Sequence, residues 1–268
     1  MRPLVDQYGS QPEKVTLVGM SFWSVDDLSK RSINFLKKAA YISCRNRTDI
    51  TRLTEIGMEN AVFAYDNAFA LNLKEPRRKH KRLGINVVPR HMRHEEKGVY
   101  VPTDDDPQFG PAYMQMMRSV AQSYLERGWE VHHIPFTEAD RRYAAFMFEG
   151  IDVQHHKYRC QVEPVFESVA QCSSFIGTRY HAHIFALKAR VPFFSVSYAS
   201  KCALLQDDLD MPAHARATRA DVVDRPAQIA EHFTHSQGFR LEKERLKDIE
   251  DGVRENIESA IQSLLQRN

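Results

Sequence analysis

Ser174-Phe175-Ile176-Gly177-Thr178-Arg179-Tyr180-His181-Ala182-His183-Ile184-Phe185-Ala186-Leu187-Lys188 is the stretch that decides the fold. Its first four residues are a short apolar run closed by glycine, a buried strand. From Tyr180 the pattern turns helical, and residues 191–198 (Val-Pro-Phe-Phe-Ser-Val-Ser-Tyr) are a strand again. Strand, helix and strand in direct succession are the mark of α/β layering. Upstream, residues 164–170 read as a short helix, 130–136 as a strand, and 112–127 as a helix ended by Gly128. Residues 83–90 form a further strand, and a loop rich in Asp, Pro and Gly follows it through 104–107.

The same alternation occupies the first third of the chain. Residues 14–20 are a strand ending near a glycine. Asp26 and Asp27 stand where a helix cap belongs, ahead of a stripe made by Leu28, Ser32, Phe35 and Leu36. Residues 40–45 are a second strand, 48–56 a helix with Gly57 placed as its C-cap, and 61–66 a third strand. Between the two alternating regions lies Lys74-Glu75-Pro76-Arg77-Arg78-Lys79-His80-Lys81-Arg82, charged and without periodicity. It reads as a linker between domains, with a lipid-binding polybasic patch as the sharper alternative. In the tail, Ile249, Val253, Ile257 and Ile261 recur four apart, which predicts a long amphipathic helix docked on the body. The expected organisation is a domain over 1–75, a basic linker over 76–82, a second domain over 83–238 and the terminal helix over 239–268.

Composition narrows the function. Lys and Arg number 37 against 35 Asp and Glu, a net +2, so no broad field favours nucleic acid, and none is expected as a partner. No run of eighteen apolar residues is present to span a bilayer, and the first residues lack the apolar stretch of a signal peptide. A cytoplasmic protein is expected. Cys44, Cys160, Cys172 and Cys202 are scattered, with no CxxC, and read as reduced thiols.

In parallel sheets, ligands bind outside the carboxyl ends of the strands. Arg45, Asp66, Arg90 and the group Arg179-Tyr180-His181 all fall just past strand ends. Thr178 to His181 opens a helix, where backbone N–H groups favour an anion. A guanidinium there clamps carboxylate or phosphate, and His181 gives or takes a proton near neutral pH. Taken singly, each arginine is as readily a solvated or paired structural residue, and an early helical histidine often only caps or packs. Metal binding is not expected. His181 and His183 are two apart on a helix and point to different faces, His132-His133 and His155-His156 are adjacent pairs, and His91 with His94 lies in a loop. No GxGxxG, P-loop or GxSxG is present.

Several blocks resemble the polysaccharide pyruvyl transferases. Tyr41-Ile42-Ser43-Cys44-Arg45 followed by Thr48, Leu53 and Gly57 is similar to their ISxRD…S…L…G block. Asp66-Asn67-Ala68-Phe69 resembles DPAF, and His133-Ile134-Pro135-Phe136 with Asp140 resembles PF…D. Residues 176–187 are similar to IGxRLHAxIFAL, and Val191-Pro192 with Tyr198 and Lys201 to VP…YxxK. The blocks keep family order from about residue 15 to residue 211. Asn46 stands where the family has aspartate and Asn67 where it has proline. The chain also starts near the final third of the family's N-terminal domain.

The resemblance implies a GT-B-like α/β architecture of two Rossmann-type parallel-sheet domains, here with an incomplete N-terminal one, the chain being either a fragment or one whose remaining strands form a reduced domain. It implies transfer of pyruvate from phosphoenolpyruvate to a sugar as a ketal, with no other cofactor. It also implies a cell-surface polysaccharide or lipid-linked oligosaccharide as acceptor, met by peripheral contact at the inner membrane face. His181 is then the proton-transfer residue and Arg179 the phosphate or carboxylate contact. Arg45 is a second anion contact, Arg90 and Lys201 are weaker ones, and Asp66 is a hydroxyl-orienting carboxylate or a turn residue. Two other readings remain: a non-catalytic sugar- or partner-binding relative, and a nucleotide-sugar glycosyltransferase of the same architecture. Oligomeric state is not legible.

Overall fold

A computed structural model describes residues 1–22, 25, 28–95 and 98–266. The chain divides into two compact units, one formed by residues 1–71 with 244–268 and the other by 72–243. The basic stretch 76–82 therefore lies within the second unit, where Arg78 donates to the carbonyls of Ala189 (2.8 Å) and Arg190. The terminal helix belongs to the first.

The first unit is a three-stranded parallel sheet of β1 (Thr16–Met20), β2 (Tyr41–Cys44) and β3 (Ala61–Phe63), in chain order. A first helix, α1 (Arg2–Tyr8), precedes it. Two more, α2 (Lys30–Lys38) and α3 (Arg47–Glu55), cross between the strands. Phe35, Leu36, Ile42 and Leu53 close its core at 4 % exposure or less. The expected caps Asp26 and Asp27 lie outside the described residues; the Ser29 side chain caps α2 by accepting from Ser32 N. Asn46 has a structural role: its Oδ1 accepts from Asp49 N at 2.7 Å and caps α3.

The second unit carries β4 (Arg82–Ile85), a short antiparallel hairpin of β5 (Met92–His94) and β6 (Tyr100–Pro102), and the helix α4 (Phe109–Glu126). There follow β7 (Glu130–His133), α5 (Glu138–Met147), β8 (Val153–His155), α6 (Val162–Ala170), β9 (Ser174–Gly177), α7 (Tyr180–Lys188), β10 (Phe193–Val196) and α8 (Ser200–Asp208). The unit ends with β11 (Arg216–Ala217), α9 (Arg219–Asp224) and α10 (Pro226–His235). Its six-stranded sheet has the order β11-β10-β9-β4-β7-β8, with every pair parallel. The chain steps outward from β4 to β8, then crosses back to β9 on the other side of β4. That is the doubly wound order, and its switch point lies between β4 and β9. The loop expected after 83–90 holds the hairpin, and α5, β8 and the helices beyond β10 were not foreseen.

The final helix, α11 (Lys243–Leu265), buries Leu246, Ile249, Val253, Asn256 and Ala260. The buried seam thus alternates steps of three and four, leaving Ile261 half exposed, in place of the expected four-residue stripe. Tyr41 on β2 donates its hydroxyl to Asn256 Oδ1 at 2.8 Å, tying this helix to the first sheet.

Of the cysteines, Cys44, Cys172 and Cys202 are buried free thiols and Cys160 is exposed. Burial pushes Cys44 and Cys172 up to about 12, which keeps them protonated and unreactive.

Histidines make the second unit acid-sensitive. His133 is fully buried at the end of β7, and neither ring nitrogen has a hydrogen-bond partner among the described residues. Burial, then the neighbouring His155 and His156, hold it well below its ordinary value, and burial brings His156 from 6.5 down to about 4. The unfolded chain therefore binds more protons than the folded one between about pH 6.5 and 4, and stability falls as pH drops through that window. His133→Leu is expected to flatten this acid limb in urea melts at stepped pH while leaving stability at pH 7.5 equal or higher.

Candidate active site

The carboxyl ends of β4, β9 and β10 gather the polar groups of the second unit. Asn86, directly after β4, is fully buried inside an otherwise apolar run. Its Oδ1 accepts from Arg179 N at 2.9 Å and its Nδ2 donates to Ile134 O at 3.2 Å, so it ties three strand ends together. Thr178 and Tyr113, both buried, share a hydrogen bond of 2.7 Å. These contacts fix the two-residue turn from β9 into α7.

Arg179 occupies the N-cap position of α7, and its guanidinium closes a fork on Asp140. Nε donates to Oδ2 at 2.6 Å, Nη2 donates to Oδ1 at 2.5 Å, and Nη2 also reaches Thr137 Oγ1 at 3.1 Å. Nη1 has no hydrogen-bond partner among the described residues. Asp140 is fully buried, whereas the arginine side chain keeps 28 % of its exposure. Asp140 also accepts from Phe136 N and Thr137 N and completes a capping box on α5 with Thr137. Burial alone would lower the Arg179 pKa; the hydrogen bonds and charge of Asp140 outweigh it and raise it.

Two helix starts flank this cation. Neither α7 nor α8 has a side-chain cap hydrogen bond at its start, and the N-terminal end of a helix dipole favours an anion. His181, in the first turn of α7, is exposed and stands edge-on to Tyr180 at 5.6 Å. Lys201, in the first turn of α8, holds its ammonium 5.8 Å from the Tyr198 ring centre, and Tyr198 in turn interacts electrostatically with Arg179. Beneath them His183 is fully buried. Its Nε2 donates to Gly177 O at 2.9 Å and leaves Nδ1 orphaned. Burial lowers His183 to about 4, against the pull of the Gly177 carbonyl and with the charge of Lys201 adding to the drop. His183 is a neutral prop for the turn and is not a proton donor near pH 7.

Arg45 and Asp66 belong to the first unit and pair with each other, Arg45 Nη1 donating to Asp66 Oδ2 at 2.7 Å. Asp66 also accepts from Ala68 N and caps the short turn Asn67–Ala70, the structural alternative weighed for it. Arg90 is exposed and donates to His91 Nε2 at 3.0 Å. Among the described residues no group of three His, Cys, Asp or Glu side chains is placed to hold a metal ion. Asp140 was visible in sequence as the fourth residue of Thr137-Glu138-Ala139-Asp140, a capping-box signal. Asn86 was visible as the polar residue within an apolar strand.

The sequence model of the family "Polysaccharide pyruvyl transferase" matches residues 15–200, which include parts of both units. The chain belongs to the polysaccharide pyruvyl transferase family. No curated protein matches this pyruvyl transferase family member. Among solved structures it is similar to the UDP-GlcNAc 2-epimerase of Methanocaldococcus jannaschii in complex with UDP-GlcNAc and UDP. The identity is 10 % and the TM-score 0.54, over 94 % of this chain and 68 % of the epimerase. TarM aligns at 11 % identity and TM-score 0.47, over 92 % of this chain and 47 % of its own, so the chain spans about half the length of TarM. At these identities the likeness concerns the fold, which is α/β and GT-B-like with two parallel-sheet units. No helix among the described residues is long and apolar enough to cross a membrane.

Proposed function

We propose that this protein transfers pyruvate from phosphoenolpyruvate to a sugar of a polysaccharide or its lipid-linked precursor, forming a ketal. The observation that carries the reading is Arg179, held rigidly by buried Asp140 at a helix start without a side-chain cap, with His181 two residues on in the first turn of α7. A compact donor with a phosphate and a carboxylate needs fixed cations and open N–H groups. The α7 start with Arg179 and the α8 start with Lys201 supply two such places side by side.

The chemistry requires two additions at one carbon. His181 delivers a proton to the methylene carbon of the donor, making a methyl group and an oxocarbenium centre at C2. The first sugar hydroxyl attacks C2 and returns its proton to His181. The C2–O bond to phosphate then breaks, the phosphate leaving towards Arg179 and Lys201, and the second hydroxyl closes the ring as its proton passes to the departing phosphate. Arg45 with Asp66 is a further candidate for contact with substrate, and binding at a membrane face is a further expectation of this reading.

Incubation of the full chain with phosphoenolpyruvate and a panel of galactosides and N-acetylmannosamine glycosides tests it. Phosphate release that depends on both partners is expected. Absence of release with every acceptor, together with a melting shift by nucleotide sugars and none by phosphoenolpyruvate, overturns it in favour of glycosyl transfer.

A further inference from the structure

The amino-terminal edge of the second unit's sheet, opposite the end that carries Arg179, opens into a cavity of about 640 Å³. That lies within the range of about 300–1,000 Å³ that holds small organic ligands. One wall is the end of α4 and the turn after it, with Arg127 and Trp129; the start of β9 makes the floor. The other wall is the strap 234–240. It is fixed because Phe239 and Phe193 exchange both backbone hydrogen bonds at 2.9 Å. Gly238 is needed there, since a Cβ would stand 2.5 Å from Phe193 N and 2.8 Å from Pro192 C.

Two properties of the lining point to a ligand. Trp129 is half-buried, braced edge-on by Tyr124 at 4.9 Å and 90°, and it lines the cavity. The charged groups are all cationic or basic: Arg127, Arg240 and His235, with no acidic residue among the described residues that line the space. His235, Gln237 and Arg240 are exposed and have no hydrogen-bond or ion-pair partner among the described residues. The charge of Arg240 is also felt by Arg78, whose pKa is lowered by burial first and Arg240 next.

We propose that this cavity is a second binding site, for a saccharide that carries a carboxylate. The electron-rich indole face packs against the C–H face of a sugar ring. Gln237 and the indole N–H are the groups for hydroxyls, and Arg240 for a bidentate carboxylate, with Arg127, which donates to Thr234 O and lies over the Tyr124 ring, adding positive charge. A free phosphate has no use for the indole, and a flat lipid surface does not enter a recess. The site shares no residue with the one around Arg179, and its ligand is independent of the pyruvyl-transfer reading; only its role in retaining a substrate rests on that reading. Its effect is to retain an acidic polymer by contacts that the chemistry does not use, which raises the polymer's local concentration.

Titration of the full chain with an oligogalacturonate, and with an uncharged galactan of the same length, tests this by calorimetry and tryptophan fluorescence. Saturable binding of the charged oligomer, at least about tenfold tighter than the uncharged one, is expected. Arg240→Ser and Trp129→Ala are each expected to weaken it about tenfold or more. If the half-buried Trp129 variant fails to fold, the exposed Arg240→Ser and Gln237→Ala variants carry the test. His181→Ala is expected to bind as the parent does, which separates this site from the catalytic one. Equal affinity for the two oligomers, indifference to Arg240→Ser, or binding to phosphatidylglycerol vesicles alone overturns the proposal.

Discussion

Asp140→Ala is expected to lose about 3 kcal/mol of stability, the lower end of what breaking a buried ion pair removes, because Arg179 keeps partial access to water. Part of that loss is the capping box on α5, worth about 1 kcal/mol. The rest is Arg179, left with two donors facing an empty space. At about 2–4 °C per kcal/mol for a domain of this size, the melting temperature falls by roughly 6–12 °C. Asp140→Asn retains the volume and an acceptor for the cap, so its stability loss is smaller. Its effect on phosphate release is expected to match that of alanine, because an amide no longer holds the guanidinium as a charged fork. The double variant Asp140→Ala, Arg179→Met should regain stability relative to Asp140→Ala without regaining activity. Recovery of activity in the double variant would remove Arg179 from the reaction.

His181→Ala is expected to reduce phosphate release from phosphoenolpyruvate by about 10²–10⁴-fold, the usual size of a lost acid–base group. The side chain is exposed, so the change in stability is expected to stay within about 0.5 kcal/mol. Calorimetry should find phosphoenolpyruvate affinity changed little, since the proposed anion contacts are Arg179 and Lys201. Unchanged turnover in this variant would move proton transfer to another group. His183, two residues on, is a poor substitute: it is buried, held near 4, and spends its Nε2 proton on Gly177 O.

The strands were legible wherever burial on both faces produced an unbroken apolar run, as in β9 and β10, where all four residues are buried. The β5–β6 hairpin was not, because two of the three residues of β5 are exposed and leave no run to read. The helix α5 was hidden by its charge, although the capping box that starts it was present in the sequence. In the site, Arg179 and His181 stood out because they interrupt an apolar block after a strand. The partner of Arg179 did not, because Asp140 lies 39 positions away and only the sheet order brings the two together. Arg45 and Asp66 were recognised separately for ligand binding, and their mutual ion pair is a tertiary contact that no periodicity announces.

The first unit is assembled from two distant stretches of chain, with α11 joined to β2 through Tyr41 and Asn256. The second is one uninterrupted run. On the ribosome, residues 72–243 can therefore acquire all their own partners while the opening sheet still waits for its closing helix. Until that helix emerges, Tyr41 has no acceptor and the surface meant for Leu246, Ile249 and Val253 stays uncovered. A stalled or nicked polypeptide lacking the segment after Lys243 should present a mature second unit beside a chaperone-dependent first one.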